Sequence, residues 1–352
     1  MTSNNKLRFA VLGAGRMGKT HAHNLAGRIA GADLVALVDS AADALVHLAA
    51  ETGVADAYDD YRRVLERKDV DAVVVATPTP THYQVILDSA SAGKHIFCEK
   101  PLDISVDKIQ AAIQAAEAGR VQMMLGFNRR FDPNFAKVRD TVAAGGVGAA
   151  QVLRITSRDP APPPEAYIRS SGGIFQDMTI HDFDMARFLM GSEVTEVYAR
   201  ATVLVDSMFE RARDWDTAIV TLQFASGAVG AIDNSRQAVY GYDQRVEVFG
   251  AGGMIAAANC TADTHVRLDQ HGVHSAPPLH FFLERYAEAY RNEMQAFVDA
   301  LRANSPVPVT GRDGLAATLV ALAAAQSART NQPVKVAKVP ALESIHEKMK
   351  LS

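Results

Sequence analysis

The sequence predicts an α/β protein in two parts. Residues 1–126 read as a doubly wound parallel sheet, and residues 127–352 as an α+β domain on a large open, mostly antiparallel sheet. Three observations predict this. Through the first third, short apolar runs alternate with helical patterns, as strands and helices do around a parallel sheet. One of those runs, within residues 69–78, is β-branched and apolar on both faces, as a central parallel strand must be. Beyond residue 126 the pattern changes to helices and then a series of strands with short turns.

Leu7 to Leu12 reads as the first strand, followed by glycines and a helix through His21 and Leu25. Leu34 to Val38 is the second strand, ending at Asp39, and its helix runs through Leu45 and Leu48. The β-branched run gives the third strand. A helix from Thr81 to Ala92 stops at Gly93, a residue that suits a helix C-terminus. His95 to Cys98 is a strand, Val106 to Ala118 a helix, and Val121 to Leu125 closes the set. In the second part, a helix from Asn134 to Ala144 leads to a strand at 150–157 and a proline-rich loop at 159–164. An apolar helix spans Asp177 to Met190, and strands follow near 194–205, 216–224, 228–236, 243–249 and 264–268. Two long helices, 279–303 and 312–330, finish the fold; the alanines between Ala316 and Ala325 suit close helix packing.

Composition narrows the function. The chain has 352 residues, about two domains at roughly 150 residues each. Hydrophobic residues make up 48% and charged residues 22%, which excludes a disordered chain, a collagen and a coiled coil. The net charge is −4, with neither the basic excess nor the basic stripe of a nucleic-acid binder. Two cysteines, Cys98 and Cys260, make no disulfide framework and fit a reducing compartment. No apolar run approaches the roughly 20 residues of a membrane span. The N-terminus lacks the apolar core and cleavage site of a signal peptide. A cytoplasmic protein with no membrane or nucleic-acid partner is expected.

The glycine loop carries the first functional signal. Gly13-Ala14-Gly15-Arg16-Met17-Gly18 follows the first strand and opens the first helix, and Asp39 ends the second strand 21 residues beyond Gly18. That is the dinucleotide-binding arrangement of a Rossmann domain. Gly13 permits the tight turn, Gly15 the approach of the pyrophosphate, and Gly18 close helix–strand packing. The helix N-terminus offers N–H donors to the phosphates. Asp39 suits the ribose hydroxyls of NAD and repels a 2′-phosphate, and Ser40, Ala41 and Ala42 after it supply no basic residue. The same aspartate suits a helix cap, and both roles coexist. His21 and His23, just past the loop, read as helix surface or packing.

Two further stretches carry chemistry. Glu99-Lys100-Pro101 lies just past a strand's C-terminal end, the edge at which open α/β sheets bind ligands. In GGIFQDMTIHDFD (172–184), Asp177, His181 and Asp184 fall on one face of a helix. Charge on an otherwise apolar helix must be paired or hydrated.

GAGRMG, TPTPTH (77–82), EKP (99–101) and GGxxxDxxxHxxD, with YGYD (240–243) and RYAEAYRNEMQAF (285–297), resemble the glucose–fructose oxidoreductase / inositol dehydrogenase (Gfo/Idh/MocA) family in order over most of the chain. GFNRRFD (126–132) and YGYD are most similar to its inositol dehydrogenase branch. The resemblance implies an NAD-binding domain up to residue 126 and a substrate-binding, oligomerising domain after it, assembled as a homotetramer. It implies NAD-dependent oxidation of a cyclic polyol, first of all myo-inositol to 2-keto-myo-inositol. Alternatives are a related sugar dehydrogenase or one acting on scyllo- or D-chiro-inositol. Catalytic roles are implied for Lys100, Asp177 and His181. The chemistry agrees: an alcohol needs a base, which His181 supplies, with Asp177 to orient it and Lys100 to stabilise the alkoxide. Cofactor contacts fall on Gly13, Gly15, Arg16, Met17, Gly18, Asp39, Thr77, Pro78, His82, Glu99 and Lys100. Polyol contacts fall on Lys100, Arg129, Arg158, Asp159, Asp177, His181, Asp184, Tyr242 and Tyr290, with Tyr240 competing with Tyr242. An asparagine is common at the position of Asp159, so Asp159 and the prolines after it leave the polyol open.

Two other function classes stand beside this one. A metal-dependent hydrolase or isomerase would use Asp177, His181 and Asp184 as ligands, but no HExxH or Cys/His cluster supports zinc, and no metal is expected. A non-catalytic NAD-binding regulator has no chemical need for Lys100, Asp177 and His181 together.

Overall fold

The computed structural model describes residues 6–340. The chain divides into two compact units. One takes the chain up to Phe127 and, later, Tyr290–Ala316; the other takes Asn128–Ala289 and Ala317–Ala337. The expected single cut after residue 126 assigns Tyr290–Ala316 to the second part, and the structure groups it with the first.

In the first unit, β1 (Leu7–Leu12), β2 (Ala32–Val38), β3 (Ala57–Tyr58), β4 (Ala72–Val75), β5 (His95–Glu99) and β6 (Met123–Gly126) form one sheet in the order β3-β2-β1-β4-β5-β6. Every pair is parallel. This is the Rossmann order, with its reversal between β1 and β4. Helices α1 (Arg16–Leu25), α2 (Ala42–Thr52), α3 (Tyr61–Leu65), α4 (Thr79–Ser91) and α5 (Val106–Ala118) connect the strands. All four residues of β4 are buried, which is why its valines show no alternation. The short β3 and α3 carry too few apolar residues to stand out in the sequence. The later segment packs here too: Phe297 lies against Phe9 and Phe97 at ring separations of 6.1 and 5.9 Å. Leu125 donates its N–H to the Val309 carbonyl at 3.1 Å.

In the second unit, α6 (Pro133–Ala143) is capped by Asp132, whose carboxylate accepts from the Asn134 and Phe135 N–H groups. Then come β7 (Ala150–Arg158), α7 (Glu165–Ser170), α8 (Ile174–Asp177), α9 (Ile180–Met190), β8 (Val194–Thr202), α10 (Met208–Arg211), β9 (Thr217–Phe224), β10 (Val229–Ser235), β11 (Asp243–Gly250) and β12 (Gly253–Ala257). After a separate hairpin of β13 (Val266–Asp269) and β14 (Gly272–Ser275) come α11 (Phe282–Arg285), α12 (Ala287–Ala303), α13 (Gly311–Thr330) and β15 (Val334–Lys335). The sheet runs β12-β11-β7-β10-β9-β8-β15. It is antiparallel except where β7 and β10 run parallel, so those two strands end at the same edge.

Two helices are broken where continuous ones are expected. The 177–190 helix is split at Met178 and Thr179, between α8 and α9. There the Thr179 hydroxyl donates to the Asn234 side-chain oxygen at 2.8 Å, with the Ile174 carbonyl at 3.2 Å as its alternative acceptor, a side-chain competition that interrupts regular helix bonding. The 279–303 helix breaks at Tyr286, whose buried ring meets Tyr242 and Phe135 edge-on or tilted. Among the described residues no helix is long and apolar enough to cross a membrane.

Candidate active site

The glycine loop of the first unit has the geometry a dinucleotide requires. Gly13 has φ +107, and a Cβ there would lie 2.5 Å from the Ala76 carbonyl oxygen. A Cβ on Gly18 would lie 1.7 Å from the Gly13 carbonyl oxygen. Gly15 differs: its Cβ would meet nothing within 4 Å, so the loop is open there. Gly15 also begins α1 with no side-chain cap, leaving the helix's first N–H groups available to an anion. Arg16 is exposed and Met17 partly so. At the end of β2, Asp39 accepts from the Ala14 N–H at 2.5 Å and from the Ala41 N–H at 2.7 Å. Its carboxylate therefore shapes the glycine loop. These residues fit a dinucleotide.

Thr77 and Pro78 precede α4, and the Thr81 hydroxyl donates to that of Thr77 at 2.7 Å. His82 is buried, with one ring nitrogen 2.8 Å from the Thr77 carbonyl and the other 2.8 Å from that of Pro101. It pins two loops at the carboxyl edge of the sheet. Burial pushes its pKa down, so the neutral ring donates to one carbonyl at a time. Lys100 is partly exposed, directly after buried Glu99. Glu99 accepts from the His21 Nε2 at 2.7 Å, and Tyr290 packs edge-on to His21. Tyr290 thus belongs to the first unit's core.

Among the described residues, the group of three whose ligand atoms all lie within 4.8 Å is His21, Glu99 and Glu293, not Asp177, His181 and Asp184. All three are buried, and both Glu293 carboxylate oxygens and His21 Nδ1 have no protein partner. The 2.7 Å His21–Glu99 bond fills the place a cation would take, and a ligating histidine normally donates its second nitrogen to an acceptor. Burial, with Glu99 beside it, pushes the Glu293 carboxyl well up.

In the second unit the charged residues gather where β7 and β10 end and β11 begins. Strand register pairs Arg158 with Ser235 and with Asp243, and Ser157 with Asn234 and with Gln244. Asp177, at the end of α8, is 7% exposed. Its Oδ1 accepts from the Tyr167 hydroxyl at 2.7 Å, and its Oδ2 from Arg236 at 2.9 Å. Arg236 also donates to Asp159 at 3.1 Å. Burial raises the Asp159 carboxyl above its usual range against the pull of Arg236. His181 is partly exposed in the first turn of α9.

A second network lies beside the first. Arg129 donates to Asp182 at 2.6 Å and approaches the hydroxyls of Ser157 and Tyr242 at 3.4 Å each. Asn234 donates to the other Asp182 oxygen at 2.9 Å. Arg158 pairs instead with Asp233 at 2.7 Å and donates to the Tyr240 hydroxyl at 3.0 Å. The two tyrosines are therefore divided: Tyr242 is buried with Arg129, while Tyr240 is exposed with Arg158 and donates to Asp243. Arg130 grips the Asp184 carboxylate at 2.8 and 2.5 Å. Tyr167, Asp182, Asn234 and Arg236 were not singled out in the sequence. The alternation of β10 carries a signal for two of them: it puts Asn234 and Arg236 in phase with buried Ile232, and buried polar residues at a strand end mark a site.

Comparison with known proteins agrees with this architecture. Residues 7–127 match a family model described as "Oxidoreductase family, NAD-binding Rossmann fold", and residues 135–256 match the GFO/IDH/MocA C-terminal domain. The chain is 48% identical to myo-inositol 2-dehydrogenase of Thermotoga maritima, over 95% of this chain and 99% of that one. It is 45% identical to inositol 2-dehydrogenase of Rhizobium meliloti, over 94% and 99%. A solved scyllo-inositol dehydrogenase from Lactobacillus casei, with bound NAD(H) and scyllo-inositol, superposes with a TM-score of 0.87 at 31% identity, covering 95% of this chain and all of that one. With both domains matched, and with relatives near half-identical along almost the whole length, the chain belongs to the Gfo/Idh/MocA family of NAD-binding oxidoreductases.

Proposed function

We propose that this protein oxidises myo-inositol to 2-keto-myo-inositol with NAD as acceptor. The observation that carries the reading is Asp177, a buried carboxylate with both oxygens held, four residues before a partly exposed histidine. An alcohol oxidation needs a base that the protein orients and keeps ionisable, and imidazole titrates near neutrality. His181 takes the hydroxyl proton, and Asp177 stabilises the imidazolium. Lys100 donates to the same oxygen as negative charge develops there. NAD, when bound, supplies the two-electron acceptor for the carbinol carbon. Arg129, Arg158, Asp159 and Tyr242 offer the paired donors and acceptors that ring hydroxyls demand. The names of the relatives support an inositol over an open-chain sugar. The unshared thiols Cys98 and Cys260 suit a reducing compartment, and the reading is of a cytoplasmic enzyme.

NADH formation across a panel of inositols and aldoses tests this. We expect the highest kcat/KM with myo-inositol, a rate that climbs with pH as the base loses its proton, and a loss of at least about 10²-fold in His181→Ala. Turnover in His181→Ala equal to wild type would remove histidine as the base. A preference for scyllo-inositol or an aldose would replace the substrate but keep the chemistry.

A further inference from the structure

We propose that Arg236 is a positioning residue for this reaction: its guanidinium bridges Asp159 and Asp177, and so keeps the Asp177 carboxylate charged and aimed. The inference rests on the dehydrogenase reading of Asp177. The Arg236 side chain is 4% exposed, and its two terminal nitrogens are committed to different carboxylates, at 3.1 and 2.9 Å. Its Nε is buried with no protein partner, so the fork is set by the two aspartates and not by general satisfaction of the guanidinium. The backbone presets this fork. Arg236 donates its N–H to the Asp216 carbonyl at 2.8 Å, Asp159 its N–H to the Ser235 carbonyl at 2.9 Å, and Ala238 its N–H to the Asp159 carbonyl at 2.7 Å. The parallel pairing of β7 with β10 therefore delivers Asp159 and Arg236 side by side.

Charge explains what the fork does. Asp177 faces Asp159, and Asp214 stands nearby, accepting from the Ile174 N–H at the start of α8. Tyr167 donates a neutral hydrogen bond. Arg129 acts on Asp159 from further off, and its charge is already matched by Asp182. Arg236 thus places one buried cation against both Asp159 and Asp177. Without it, two carboxylates of like charge, one buried and one half-buried, favour taking up a proton. A protonated Asp177 no longer stabilises an imidazolium.

The test compares wild type with Arg236→Gln, Arg236→Lys and the double variant Arg236→Gln/Asp159→Asn. Two readouts are used: the pH profile of kcat/KM with myo-inositol, and the Asp177 carboxyl carbon by ¹³C NMR, assigned by its loss in Asp177→Asn. In Arg236→Gln we expect the profile to move alkaline by about one unit or more, with Asp177 protonated at a pH where wild type is ionised. Arg236→Lys keeps the charge but loses the fork, so it moves less in the same direction. Asp159→Asn removes the competing charge and returns the Asp177 titration of Arg236→Gln toward wild type. NAD affinity stays within about twofold. An unshifted Asp177 titration in Arg236→Gln overturns the proposal, as does a loss of rate that is uniform across pH. If Arg236→Gln does not fold, an unshifted Arg236→Lys overturns it equally. A wild type that makes no NADH defeats the dehydrogenase reading instead, and the NMR titration still decides whether Arg236 governs Asp177.

Discussion

Glu293 lies fully buried on α12 among Tyr290, Met294 and Phe297, with no donor for either oxygen. Burial and the nearby Glu99 hold its carboxyl protonated well above the ordinary range. A glutamate in the unfolded chain titrates near pH 4.3. The folded form is therefore favoured in full below that pH and loses stability as pH rises toward the raised folded value. Glu293→Gln keeps the neutral shape without the titration. We expect it to melt several degrees above wild type at pH 8, at about 2–4 °C per kcal/mol for a unit of this size, with the gap closing at pH 5. Thermal melts at the two pH values check this, and a gap independent of pH would contradict it. The opposite sign holds at Asp243. Burial opposes its charge, but hydrogen bonds from Arg245, Tyr240 and Asn259 hold the carboxyl down to about 2. Its contribution is present above its unfolded value and is lost as pH falls toward that figure.

At the scale of elements, β1, the glycine loop, α1 and β2 act as one device. Asp39 holds the loop through the Ala14 N–H, and in the proposed enzyme it also meets the ribose. Asp39→Ala should then weaken NAD binding by about tenfold or more while NADP binding changes less, so that discrimination between them narrows. Titration of both cofactors into both proteins decides it, and an unchanged ratio would limit Asp39 to holding the loop. This device was legible in the sequence because every part of it is local: a strand, a turn with steric demands, a helix, and a strand end. Asp177 and His181 were legible as charge on an apolar stretch. Their setting was not. Arg236 reaches Asp177 across 59 residues, and Gln244 reaches Ser157 across 87, through strand register that no local pattern encodes. The α8–α9 break was hidden for the same reason, since Asn234, which engages the Thr179 hydroxyl, is 55 residues away. Tyr290 carried the right residue type for a polyol contact, yet the apolar spacing of α12 turns it toward His21.

At the scale of the molecule, the second unit's sheet leaves apolar side chains on one face: Ile219, Val229, Phe249 and Met254 are each about half exposed. Register aligns Val229 with Val152, Val152 with Phe249, and Phe249 with Met254, so these side chains form a stripe across four strands. A contiguous exposed apolar stripe marks an association surface. We propose that copies of this chain pair through it within a homotetramer. Light scattering should give four chain masses at micromolar concentration, and Phe249→Glu should lower the mass; a monomeric wild type would refute the assembly. The placement of Tyr290–Ala316 in the first unit has a different consequence, in the order of synthesis. The β6 edge takes its bond from Val309, and the β1–β5 core takes Phe297, only after about 180 further residues have been made. At roughly 5–20 residues per second, this unit waits about 10–40 s with the outer edge of β6 open and Phe297 missing from its aromatic core. The first unit is thus closed only after most of the second has been made, and during that interval its open edge and core are exposed to aggregation and to chaperones.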